Sequence, residues 1–122
     1  MTSFAMAMLV CSNLGRSRDF YRNILGLKIG TDAFPEWLDF DLGEGKRLGL
    51  HPVSESLAVR PGSLQLGFHV ENVDTFITDA RTAGANVLQE PYEQAFGRVA
   101  VIADPDGYVI QVFSPKIAAA RR

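Results

Sequence analysis

Side chains that could do acid–base, nucleophilic or metal chemistry are few in this sequence and widely spaced. His51 and His69 are its only histidines. Histidine is the side chain type best suited to proton transfer near neutral pH, so either could serve as a general acid or base. The alternative is that both are polar wall or rim residues of a binding cavity. Cys11 is the only cysteine, which rules out an internal disulfide and any CxxC metal site and fits a reducing cytoplasm. Gly43-Glu44-Gly45 does not open a helix, so a dinucleotide fingerprint fails on context. No nucleophile elbow or Ser-His-Asp order is visible. Asp39, Asp41 and Arg47 share the polar face of a hairpin, either as a solvated outer surface or as a patch that orients a ligand. Phe34 and Trp37, and further on Tyr92 and Phe96, could stack on a planar ligand or fill core.

The elements that must position these residues come in two rounds. Residues 4–11 form an apolar run, read as a strand covered on both faces. Asn13 is placed to cap a helix whose stripe is Leu14, Phe20, Tyr21, Ile24 and Leu25, and Gly26 stops it. Phe20 and Tyr21 belong to the core. An extended piece, Leu27 to Gly30, follows. Leu38, Phe40 and Leu42 then alternate with Trp37, Asp39 and Asp41, and Arg47 to His51 returns as a strand, making a hairpin. After an aperiodic stretch the order repeats. Leu64 to Val70 alternates as a strand, Asn72 caps, and Val73, Phe76, Ile77 and Ala80 form the helical stripe. Gly84 stops the helix and Ala85 to Leu88 extends. Arg98 to Ala103 and Tyr108 to Phe113 flank the turn Asp104-Pro105-Asp106-Gly107. Asn13 and Asn72 lie 59 residues apart. An internal repeat of this kind weighs more for the fold than any single motif.

The expected organisation is one domain over 1–122, with a first βαβββ module at 4–51, a linker at 52–63, a second module at 64–115 and a tail at 116–122. With 122 residues, 47% hydrophobic and 21% charged, the chain can bury a core without staples. A net charge of −2 with no clustered Lys or Arg beyond Lys116, Arg121 and Arg122 argues against nucleic acid and anionic membrane as partners. The run 4–11 is short for a signal core and far too short to span a bilayer. We therefore expect a cytoplasmic protein.

Ser17-Arg18-Asp19-Phe20-Tyr21-Arg22-Asn23-Ile24-Leu25-Gly26 resembles the SxxFYxxxLG signature of the vicinal oxygen chelate superfamily, the glyoxalase/bleomycin resistance/dioxygenase group. Asp104 to Val112 resembles its DPDGxxIEL ending, and Gly97 fits the glycine that opens the preceding strand. The resemblance covers about residues 4–115. It implies an α+β fold of two βαβββ modules, each a curved mixed sheet with its helix on the convex side, closing around a small-molecule cavity, often across a homodimer interface.

The resemblance also implies where a divalent metal would sit, on the first and last strands of each module. Alternation puts Ala7, Leu9 and Cys11 toward the helix and Met6, Met8 and Val10 toward the cavity. Cys11 is then a poor nucleophile. The four ligand positions read Met6, Gly49, Gln65 and Gln111. A thioether, a hydrogen atom and two neutral amides do not make the three anionic or imidazole ligands a catalytic metal needs. His51 and His69 lie two and four residues past ligand positions, roughly 7 and 13 Å away along the strand.

The expectation is a metal-free protein without a cofactor that sequesters an apolar or aromatic molecule, in the manner of drug-resistance relatives. Met6, Met8, Val10, Val109 and Phe113 would form its walls, Trp37 a stacking surface, and Arg47, Gln65, His69 and Gln111 polar anchors. The competing expectation is a metal-dependent enzyme of the same group, a lactoylglutathione lyase-like lyase or an extradiol-type dioxygenase. Catalysis by His51 or His69 without metal is a third. Loops 30–36, 52–63 and 89–97 are expected to shape the cavity.

Overall fold

A computed structural model describes residues 1–115; the basic tail cluster of Lys116, Arg121 and Arg122 lies outside the described residues. The chain divides into two compact units, Met1–Arg60 and a second that begins at Pro61. In the first, β1 (Met6–Cys11), α1 (Leu14–Asn23), β2 (Lys28–Ala33), β3 (Trp37–Gly43) and β4 (Lys46–Pro52) follow in order. In the second they are β5 (Gln65–His69), α2 (Val73–Thr82), β6 (Asn86–Gln94), β7 (Gly97–Ala103) and β8 (Val109–Pro115). The sheets run β1-β4-β3-β2 and β5-β8-β7-β6, so βαβββ occurs twice. In each unit the first and last strands pair in parallel and the remaining pairs are antiparallel.

Local chemistry sets the ends of both helices. Asn13 Oδ1 accepts from the Arg16 amide and Asn72 Oδ1 from the Thr75 amide, each at 3.0 Å. Each cap thus satisfies an amide that has no partner inside the helix. Gly84 ends α2 at φ +95°, where the Ala85 amide donates to Ala80 O and the Gly84 amide to Arg81 O. That is the paired closure a left-handed residue permits.

Alternation sorts the faces. Leu9, Leu38, Phe40, Leu48 and Leu50 are almost fully buried, and Tyr21 of α1 packs on Phe40 with ring centroids 6.0 Å apart. In the second unit Ala100, Ile102, Ile110 and Val112 are buried, as are Val73, Ile77 and Ala80 of α2. Cys11 is buried as well. The turn of the last hairpin is organised by Asp104, whose Oδ1 accepts from the Asp106 amide at 2.8 Å and the Tyr108 amide at 3.0 Å. Gly107 supplies φ +90°.

Several expectations need correction. β1 begins at Met6, with Met6 and Met8 well exposed rather than covered on both faces. Leu42 is exposed because pairing shifts register between Asp41 and Gly43, which takes it out of the Leu38–Phe40 row. Leu64 precedes β5 and is also exposed. The segment 89–97 is mostly strand. Its Pro91 lies on the edge strand of its sheet, beside two register shifts, where a missing N–H costs no ladder bond. Likewise β2 extends to Ala33, so only part of 30–36 is loop.

Ser17 is fully buried on the inner face of α1, and its Oγ has no hydrogen-bond partner among the described residues. A buried hydroxyl in that state costs about 1–3 kcal/mol. Ser17→Ala is expected to raise the urea midpoint, by about 1 kcal/mol in stability. A lower midpoint would show that the hydroxyl is satisfied.

Candidate functional site

The candidate site residues lie on the sheet faces turned away from the helices, and each unit is built separately. In the first unit, Met8 of β1 is in register with Gly49 of β4, and Gly49 with Asp39 of β3. Trp37 stands two residues before Asp39 and therefore on the same face. Its indole runs over Gly49: a Cβ on that glycine would overlap Trp37 Cη2, lie 2.7 Å from Cζ2 and approach Met6 Sδ to 3.2 Å. Position 49 is therefore a seat for the indole ring. His51 meets Trp37 edge-on at 6.2 Å, and its Nδ1 is 2.7 Å from Pro52 O. A carbonyl can only accept, so Nδ1 carries the proton of that bond.

Asp39 is not the solvated residue that one reading of the hairpin had it. It is 7% exposed. Oδ1 accepts from the Thr31 amide at 2.8 Å and from Arg47 Nη1 at 2.9 Å, while Oδ2 accepts from Trp37 Nε1 at 3.0 Å. Burial by itself would raise its pKa. The hydrogen bonds from Trp37, Thr31 and Arg47, with the charge of the guanidinium, outweigh that and hold the carboxyl below the usual range. Asp41, by contrast, is exposed and accepts from the Gly43 amide at 2.8 Å. Phe34 meets α1 instead: Arg18 lies 5.0 Å over its ring.

The second unit has a counterpart. Gln65 is in register with Val109, Gly67 with Gln111, and His69 with Phe113. The Phe113 ring lies 3.7 Å from where a Cβ on Gly67 would be. His69 meets it at 5.9 Å and Phe96 at 6.4 Å, both edge-on. An aromatic ring over a strand glycine with a histidine at its edge thus occurs in both units. Tyr92 of β6 faces Val99 in register and accepts from Gln94 Nε2 at 3.1 Å.

These donors do not suit a divalent metal. The first unit offers a thioether at Met6 and an indole where a ligand at position 49 would project. The second offers the amides of Gln65 and Gln111, which are not register partners. Among the described residues no three His, Cys, Asp or Glu side chains gather as a metal group. A cleft of about 300 Å³ lies elsewhere, where Asn72 and Asp74 at the start of α2 meet Glu93 and Arg98. Arg98 is spent there on Asp74, at 2.6 and 2.9 Å, and on Glu93 at 3.3 Å. Its hydrogen bonds hold the Asp74 carboxyl below the usual range. The cleft is an ion-paired junction and is lined by none of the candidate ligand-binding or catalytic residues read from the sequence.

Sequence reasoning missed Gly30. A Cβ there would overlap Arg47 Nη1 and lie 2.7 Å from Asp39 Oδ1. The only signal was a glycine inside a strand, which marks a bulge or a close approach. Among the described residues no helix is long and apolar enough to cross a membrane.

Comparison with known proteins follows the same lines. The family model for a glyoxalase-like domain matches residues 4–116. The phenazine antibiotic resistance protein EhpR of Enterobacter agglomerans is 32% identical, with 88% of each chain covered. The structure of a glyoxalase-related enzyme from Fulvimarina pelagi superposes with a TM-score of 0.81 at 24% identity, covering 98% of this chain and 94% of that one. A protein of Agrobacterium tumefaciens solved in solution gives 0.79 at 30% identity, covering 96% and 100%.

Proposed function

From the premise that this chain belongs to the glyoxalase-like family, which its match over residues 4–116 and its kinship to EhpR establish, we propose that it is a metal-free protein that sequesters a planar aromatic molecule without transforming it. The observation that carries this reading is the Trp37 indole lying over Gly49. A position that would serve a metal centre is given instead to an aromatic surface, edged by His51 and Met6. Flat ligands stack on such surfaces, and a thioether adapts to their outline. Phe113, flanked by His69 and Phe96, offers a second aromatic surface. The histidines act as walls of these clusters. The resistance role of EhpR makes a phenazine the first ligand to try. A homodimer accompanies the reading.

Trp37 is the only tryptophan, so its fluorescence reports on the site directly. Phenazine is expected to quench it with a Kd of about 10 μM or tighter, to be recovered chemically unchanged, and to bind equally well after chelator treatment. The same sample is expected to elute as a dimer. A stoichiometric Ni²⁺, Zn²⁺, Mn²⁺ or Fe²⁺ ion that raises the melting temperature, or consumption of the phenazine, would overturn the reading in favour of a metal-dependent lyase or dioxygenase.

A further inference from the structure

We propose that Asp39 is a positioning residue that joins Trp37 and Arg47 into one recognition unit, and that this unit selects aromatic ligands bearing a carboxylate at their edge. The inference rests on the function proposed above and adds the ligand's chemical class.

Four separate features of the first unit converge on Asp39. The pairing of β2 with β3 shifts register between Ile29 and Asp32, and the Thr31 amide points at Oδ1. Such bulges re-aim groups in this way. Gly30 leaves room for the Arg47 guanidinium, and Gly49 leaves room for the indole. The fourth feature is the choice of partner. Asp41, not Asp39, stands directly across from Arg47 in the β3–β4 register, yet the ion pair forms with Asp39. Asp41 is engaged by the Gly43 amide in the turn.

The consequence is a division of labour around one carboxylate. Both oxygens of Asp39 are used by donors within the unit, and the side chain is 10% exposed. Arg47 commits Nη1 only; its Nε and Nη2 groups have no hydrogen-bond partner among the described residues, and its side chain is 37% exposed. What the unit presents outward is an indole and, beside it, a guanidinium whose Nε and Nη2 groups are unspent. A guanidinium fork matches the two oxygens of a carboxylate. Because Asp39 offsets the charge of Arg47, attraction at long range is weak, and discrimination comes from short, directed bonds. An aromatic molecule without a carboxylate at its edge would stack but leave the paired donors of the fork unmatched.

Phenazine and phenazine-1-carboxylate are the probes, with quenching of Trp37 as the readout. The wild-type protein is expected to bind the carboxylate about tenfold or more tightly than phenazine, as suits a hydrogen bond to a charged group. Arg47→Lys, which removes the planar fork, and Asp39→Asn, which removes the charge that holds it, are expected to bring that ratio below about threefold. Asp39→Asn should also shift the Trp37 emission maximum, because Asp39 accepts from the indole Nε1. Gly30→Ala displaces the far end of a flexible side chain rather than backbone, so it tests the same unit if Asp39→Asn fails to fold. Equal affinity of the wild type for both probes would overturn the inference and leave the proposed function standing. So would a ratio preserved in both Asp39→Asn and Gly30→Ala. If neither probe binds, the function proposed above falls and the ligand class with it.

Discussion

Gly49→His, the substitution that would supply a metal ligand at the position expected to hold one, is expected to destabilise the protein by about 3 kcal/mol and to confer no nickel affinity. The cost arises from the ring above it. A Cβ at position 49 overlaps Trp37 Cη2 and sits 2.7 Å from Cζ2, so the indole must swing aside. Inserting atoms into a packed contact commonly costs about 1–3 kcal/mol. Here the swing also breaks the 3.0 Å bond from Nε1 to Asp39, leaving a buried carboxylate with one donor fewer. Nickel gains little, because the added imidazole would have only Met6 for company among the first unit's ligand positions. Urea denaturation and a thermal shift against Ni²⁺ are the measurements. Removing the indole in the same chain, Trp37→Ala with Gly49→His, is expected to restore part of the loss, with a coupling of about 1 kcal/mol or more between the two sites. A nickel-dependent rise in melting temperature for Gly49→His alone would contradict the account.

Asp104→Ala is the second large effect expected, a loss of about 2–3 kcal/mol. Two side-chain hydrogen bonds of the turn converge on Oδ1, from the amides of Asp106 and Tyr108, and Asp104 is 5% exposed. Alanine would take the Oδ1 acceptor away from two amides of the last hairpin's turn, one of those bonds buried. Stranded donors cost about 1–3 kcal/mol each. Because both bonds use the same oxygen, Asp104→Asn can keep them through its carbonyl and should lose about 1 kcal/mol. The urea midpoint should fall with an unchanged slope in both variants. Equal losses for alanine and asparagine would show that the charge, not the acceptor geometry, matters.

The two turns of chain that begin at Asn13 and Asn72 illustrate what can be read without coordinates. A cap side chain needs only its own helix to be satisfied, so its role is visible in local order. The same holds for Gly84 and Gly107, whose backbone angles are possible for few other residues. The Asp104 turn, the βαβββ repeat and the helix-facing rows of Leu48 and Leu50 or Ile110 and Val112 are equally local or periodic. Where polarity hid the pattern, reading failed: Gln89, Glu90 and Pro91 look like a loop but belong to edge strand β6.

Alternation told which face Trp37, Asp39, Asp41, Arg47, Gly49 and His51 occupy, because the strand period is two. It could not tell which of two aspartates on that face would be buried, nor which would take Arg47. That choice depends on a bulge in β2, on the room left by Gly30 and on the indole laid over Gly49, none of which has a sequence period. The repeat, the caps, the turn and the facing of each strand were therefore settled by the chain's own local order. The partnering of Asp39 was settled only by tertiary structure, since a buried carboxylate is stable only where donors from β2, β3 and β4 meet on it.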